Sequence, residues 1–192
     1  MAGESEFAGR MALVTGAASG IGAAAARWLD RQGIGELILI DMDRPGLSAL
    51  GLGCKVQPIG GDVADPSLWK LFERELPRLD YAVLNAGIAS NGDIVDLDIA
   101  TWRKTMAVNL DGMFYLCREI FPFLREGGSI VLCASMAGHK GSYAHSAYAA
   151  SKGATLSLMR SLALEFAPKV RVNCVSPGII ATGMTDELIS ER

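Results

Sequence analysis

The stretch Arg10-Met11-Ala12-Leu13-Val14-Thr15-Gly16-Ala17-Ala18-Ser19-Gly20-Ile21-Gly22 decides the fold. Its apolar run from Arg10 to Thr15 has the length of a buried strand, and glycines 16, 20 and 22 follow at once. That order predicts a strand, a tight turn and then a helix over Ile21 to Gln32. Glycine lets a backbone approach a ligand closely. A helix N-terminus adds unsatisfied N–H groups and partial positive charge. Together they suit a pyrophosphate, although the same pattern also describes an ordinary strand-to-helix turn.

Asp41 adds the weight that the glycines lack. It ends a second apolar run, Glu36 to Asp41, about where an acid takes the hydroxyls of an adenosine ribose. Its charge would repel a 2′-phosphate, Asp43 adds to that, and Ser19 in the turn brings no cation. The expected cofactor is therefore NAD rather than NADP, with Arg44 as the residue that could reach a phosphate.

Strand-like and helix-like segments alternate through the rest of the chain. Helical material over Pro45 to Leu50 leads to a strand over Lys55 to Ile59, and Asp65 to Leu76 reads as a helix with Asp65 as its cap and Pro66 at its first position. Tyr81 to Leu84 is a fourth strand, Ile99 to Arg125 a long helix stopped by Gly127-Gly128, and Ser129 to Ala134 a fifth strand. A helix over Ala147 to Phe166 and a strand over Val170 to Val175 complete the pattern. Nearly continuous apolar strands separated by helices predict an α/β fold with a doubly wound parallel sheet, Rossmann-like, flanked by helices on both faces. Residues 1–192 read as a single domain.

A net charge of -3, with cations scattered rather than striped, gives no reason to expect nucleic acid. No apolar stretch reaches the ~18 residues of a membrane span. The acidic, polar start Met1-Ala2-Gly3-Glu4-Ser5-Glu6 is wrong for a signal peptide. Cys54, Cys117, Cys133 and Cys174 show no CxxC pairing, so buried free thiols and a cytoplasmic location are expected. His139 and His145 have no acid or thiol at ligand spacing, so no metal is expected.

Tyr148 and Lys152 stand four residues apart, which puts a phenol and an ammonium on one helix face. Ser135 ends the apolar run upstream. A phenol beside a fixed cation is a proton donor and acceptor. With the glycine turn, this pair points to a nicotinamide oxidoreductase. The helix that carries it, with Leu156, Leu158, Met159, Leu162, Leu164 and Phe166, is apolar over more than half its circumference. One apolar side would meet the sheet and the other a second subunit, giving a homodimer or homotetramer.

The full motif set resembles the short-chain dehydrogenase/reductase family in its common single-domain form, from about Arg10 to Thr182. Three residues separate Gly16 from Gly20, as in that branch. The resemblance implies that Gly16, Ser19, Gly20, Ile21 and Gly22 form the pyrophosphate turn and that Asp62-Val63 contacts adenine. It further implies that Asn85-Ala86-Gly87 is the motif after the fourth strand, and that Pro177-Gly178 and Thr182 hold the nicotinamide carboxamide. Ser135, Tyr148, Lys152 and Asn109 match the family's catalytic serine, tyrosine, lysine and water-holding asparagine.

The implied activity moves a hydride between a secondary alcohol or ketone and the nicotinamide. To serve as a base, a tyrosine of pKa ~10 must fall about three units, about 4 kcal/mol. One cation ~4 Å away at an effective dielectric of ~20 supplies roughly that. An NADPH-linked ketoreductase and a non-catalytic NAD-binding protein are the alternatives. Leu84 departs from the pattern where many members have asparagine. Members also continue with a lid and a last strand, which are expected to lie beyond Arg192.

Overall fold

The computed structural model describes residues 5–70 and 78–185. Six strands form one parallel sheet: β1 (Met11–Thr15), β2 (Glu36–Asp41), β3 (Lys55–Gly60), β4 (Leu79–Leu84), β5 (Leu124–Cys133) and β6 (Val170–Val175). Their order is β3-β2-β1-β4-β5-β6, with every neighbouring pair parallel. Each parallel step needs a crossover, and the helical segments supply it. They are α1 (Gly20–Arg31), α2 (Arg44–Ser48), α3 (Pro66–Trp69), α4 (Ile99–Met106), α5 (Gly112–Ile120), α6 (Ala137–Lys140) and α7 (Ser146–Glu165). This is the doubly wound, Rossmann-like sheet that the sequence predicts.

Alternation along the strands feeds two cores. Leu13, Ile38, Ile40, Leu84 and Ile130 point to the face that α5 and α7 cover, where Leu116, Ile120 and Leu162 meet them. Ala12, Val14, Leu37 and Leu39 point to the other face, packed by Ala23, Ala26 and Leu29 of α1 and Leu47 of α2. Leu84 is 1% exposed and belongs to the first core, so its departure from the family pattern is a matter of packing. Pro58 has no N–H to give a second neighbour, which suits β3 to its place at the sheet edge.

Two boundaries differ from expectation. Asp65 caps α3 as predicted, its carboxylate accepting from Ser67 N at 2.8 Å, but the remainder of the expected helix to Leu76 lies outside the described residues. The long helix expected over Ile99 to Arg125 is broken twice. A π turn, Ala107–Asp111, separates α4 from α5, and the helix ends in a 3-10 turn, Phe121–Phe123, before Leu124 enters β5. Pro122 accounts for the end, because its ring clashes with a continuing helix and it lacks an N–H.

The strand order reverses between β1 and β4. The ends of β1, β2, β4 and β5 therefore open on a crevice at this switch point, where ligands of such sheets bind.

Candidate active site

The glycine turn is built by contact as well as by conformation. Gly16 has φ +62°, a region that side chains disfavour. A Cβ on Gly22 would stand 2.0 Å from the Gly16 carbonyl oxygen, so the first turn of α1 packs directly on the loop. Ser19, just before α1, makes no capping bond with its side chain, which leaves the first-turn amides of α1 for a ligand. Thr15 fastens the switch point: its Oγ1 accepts from Asn85 N at 3.0 Å and Ala86 N at 3.1 Å. Asn85 Nδ2 returns a bond to the Gly16 carbonyl at 3.3 Å. Sequence reading takes Thr15 only as a strand end. Its burial beside an Asn-Ala-Gly loop comes from pairing β1 with β4.

Asp41 closes one end of the crevice. Its Oδ2 accepts from Ala18 N and its Oδ1 from Asp43 N, both at 3.0 Å. Each carboxylate oxygen keeps lone-pair capacity for a further donor, such as a ribose hydroxyl. Arg44 runs past Gly60: a Cβ there would meet the side-chain carbons of Arg44 at 3.2 to 3.5 Å.

The other end gathers the predicted proton-transfer groups. Tyr148, Ser151, Lys152 and Thr155 fall on one face of α7. Lys152 is 3% exposed and its Nζ donates to the Cys133 carbonyl at 2.8 Å, while standing 5.7 Å from the centre of the Tyr148 ring. Ser135 follows β5, is 9% exposed, and its Oγ accepts from Ala137 N at 3.2 Å. Ala134 N bonds the Val175 carbonyl and Met136 N the Pro177 carbonyl, stitching the Ser135 segment to the Pro177-Gly178 segment.

Burial pushes the Tyr148 phenol above its ordinary 10, opposed by a hydrogen bond with Ser135. Burial likewise pushes Lys152 below 10.5. The chain's own groups thus hold the phenol protonated. This differs from the lowered phenol that simple charge proximity predicts, because desolvation of the buried pair outweighs the attraction between them.

Asn109 sits in the π turn and is fully buried. Its Oδ1 accepts from Ile88 N at 2.8 Å, and its Nδ2 donates to the Ile88 carbonyl at 2.9 Å and to Ser151 Oγ at 3.0 Å. Ser151 Oγ in turn donates to the Tyr148 carbonyl at 2.7 Å. Asn109 therefore ties the loop after β4 to the helix of Tyr148 and Lys152. Ser151 is the link that sequence reading misses; its position beside Lys152 on the buried face was the available signal.

One cleft of about 320 Å³ joins these ends. Gly16, Ser19, Gly20, Ile21, Asp41, Asp62, Val63, Asn85, Ala86 and Gly87 line it, as do Ser135, Tyr148, Lys152, Pro177, Gly178 and Thr182. Gly22 lies beneath the turn and Asn109 behind Ile88, so neither lines it. Ile88 is a wall as expected, whereas Met136, Ala89 and Tyr143 are not part of the lining. His139 belongs to α6 and its Nε2 bonds Ser176 Oγ at 2.9 Å. An acid at one end, helix amides in the middle and a Tyr–Lys–Ser group at the other fit the diol, pyrophosphate and reactive ring of a nicotinamide dinucleotide. Among the described residues, no helix is long and apolar enough to cross a membrane, and no cluster of metal-ligating side chains occurs.

A family model described as short chain dehydrogenase matches residues 10–192. The chain belongs to the short-chain dehydrogenase/reductase family. Like other short-chain dehydrogenases/reductases, it is an oxidoreductase that takes a nicotinamide cofactor. It is 41% identical over 189 residues to the galactitol 2-dehydrogenase (L-tagatose-forming) of Cereibacter sphaeroides, covering 92% of this chain and 74% of that one. A short-chain dehydrogenase/reductase structure from Brucella melitensis superposes with a TM-score of 0.91 at 40% identity, covering 98% of this chain and 80% of that one. A short chain dehydrogenase from Shigella flexneri, complexed with NADP, gives 0.89 at 29% identity, covering 98% and 85%.

Proposed function

We propose that this short-chain dehydrogenase/reductase transfers a hydride between a secondary alcohol or ketone and NAD, with Tyr148 moving the hydroxyl proton. The observation that carries the reading is the gathering of Ser135, Tyr148 and Lys152 at one end of a cleft whose other end is Asp41. The bound nicotinamide would accept or give the hydride and, when oxidised, bring positive charge close to the phenol. Ser135 Oγ orients the substrate oxygen, and Tyr148 exchanges a proton with it. Lys152 fixes the cofactor-side geometry through Cys133 and is placed to hold the nicotinamide ribose. Asn109 and Ser151 keep Ile88 and the Tyr148 turn in register, and in this reading Asn109 also positions the water that returns the proton to solvent.

Because the chain's own groups raise the Tyr148 pKa, the phenol is a proton donor near neutrality. Reduction then holds steady as pH rises, until the phenol ionises. Oxidation, which needs the phenolate, climbs with pH over the same range. Tyr148→Phe is the primary test: turnover should fall by at least about 10²-fold while the dinucleotide still binds. Unchanged turnover in that variant defeats the assignment.

Asp41 favours NAD. The NADP in the Shigella flexneri structure supports the rival NADP-linked reading, for which Arg44 is the candidate cation. Kd values for both dinucleotides, in the native chain and in Asp41→Ala, separate the two. A non-catalytic cofactor-binding role would show as binding without turnover on any alcohol or ketone. The free thiols of the four cysteines suit a reducing cytoplasm. Phe114 on α5 and Leu164 on α7, 46% and 82% exposed, support assembly into a homodimer or homotetramer, to be measured by light scattering.

A further inference from the structure

The distribution of charge along the cleft bears on what reacts in it. Among the described residues that line it, Asp41, Asp62 and Lys152 are charged. The carboxylates follow β2 and β3, whereas Ser135 follows β5. Three and four strand spacings separate them in the sheet order, about 14 and 19 Å at ~4.8 Å each. Both acids are also held by their own loops, Asp41 by the Ala18 and Asp43 amides and Asp62 by the Ala64 amide. Lys152 is buried and committed to the Cys133 carbonyl. Neither histidine lines the cleft: His139 bonds Ser176, and His145 Nδ1 bonds the Tyr143 carbonyl.

What surrounds Ser135 and Tyr148 is apolar. Ile88, Ala134, Ile180 and Met184 line the cleft there, and Ile180 and Met184 remain 45% and 51% exposed. Apolar surface of this kind gains from being covered. A carboxylate or phosphate drawn in would lose its water without meeting a free cation. The extra hydroxyls of a polyol would be desolvated without partners.

We propose that the substrate is a neutral, largely apolar secondary alcohol, or the matching ketone, which sets its single oxygen between Ser135 and Tyr148 and its hydrocarbon against Ile88, Ile180 and Met184. This deepens the proposed function and rests on it. It separates this chain from its polyol-named relative at 41% identity, because sequence similarity of that level does not fix the lining of a reaction pocket.

The test is kcat/KM of the purified protein at saturating cofactor. The panel is a series of linear secondary alkanols lengthened one methylene at a time, galactitol, and a β-hydroxy acid. The expected result is a rise of about fourfold per methylene, with galactitol and the hydroxy acid at least ~100-fold below the longest alkanol. The variant Ile180→Lys places a cation at the mouth and should shift the ratio toward the hydroxy acid by at least ~10-fold. Tyr148-dependent turnover that prefers galactitol or the hydroxy acid, or that ignores chain length, overturns the substrate class and leaves the hydride transfer standing. Turnover of nothing in the panel, or turnover insensitive to Tyr148→Phe, overturns both.

Discussion

Replacing Gly138 by alanine tests whether the reactive geometry depends on how closely α6 lies on α7. A Cβ on Gly138 would stand 2.7 Å from Gly153 N and from the Lys152 carbonyl carbon, and 2.8 Å from the Lys152 oxygen. All three are backbone atoms of α7, so no side chain can turn aside. Reaching the 3.4 Å of ordinary contact requires α6 to lift by at least about 0.7 Å. Gly138 N is bonded to the Ser135 carbonyl at 3.0 Å, so the lift drags Ser135 away from Tyr148. Misplacement by ~1 Å costs an enzyme about 10²-fold, so kcat should fall roughly 30- to 100-fold. Overpacking should remove about 1–3 kcal/mol of stability, at ~2–4 °C of Tm per kcal/mol. The reciprocal change, Gly153→Ala, meets only the Gly138 oxygen at 3.4 Å and gains helix propensity, so it should be neutral or stabilising. Steady-state kinetics, calorimetry and dinucleotide titration on both variants decide the matter. Native kcat and Tm in Gly138→Ala would refute the packing argument.

Two further changes probe the frame and its pH response. Asp80 is buried at the start of β4, where it accepts from Met11 N at 2.9 Å and pairs with Arg10 and Arg125; Asp80→Ala should cost about 1–3 kcal/mol for the orphaned Met11 amide alone, seen as an earlier urea midpoint. Burial raises the Cys117 thiol from 9.0 to about 12, so an unfolded chain releases that proton at a pH where the native chain keeps it. The associated stability is present below about pH 9 and is lost as pH rises toward 12, about 4 kcal/mol over three units. Tyr148 adds loss of the same sign above 10, and the lowered Lys152 opposes it by stabilising as pH rises toward 10.5. Urea midpoints from about pH 8 to 11 should fall less steeply in Cys117→Ala, and an unchanged slope would contradict this account.

Most of the sheet was legible because its information is local. Runs such as Leu37-Ile38-Leu39-Ile40 are apolar on both faces, and Asp65-Pro66 marks a helix start whatever surrounds it. The cleft residues were legible through spacing: Gly16 to Gly22 follow a strand, and Tyr148 and Lys152 share a helix face. What stayed hidden depends on contacts between distant segments. The Thr15 hydroxyl under Asn85, the Ser151 link to Asn109 and the approach of Gly138 to Gly153 each join residues whose meeting no periodicity announces. The raised Tyr148 phenol was hidden for a similar reason, since burial is a property of the assembled fold. The end of the long helix was readable and was misplaced: Pro122 carried the signal.

The five residues from Ala107 to Asp111 hold one position more than a regular turn would, and that surplus sets the direction in which the Asn109 amide faces. Losing a single codon there would smooth the rod and rotate everything beyond it by about 100° against what comes before. Met113, Leu116 and Ile120 would leave the sheet, and the Ile88 backbone would be released from its clasp. Drift in the length of this gene is therefore tolerable in its surface loops and forbidden at this bend, where a more ideal helix would make a worse enzyme.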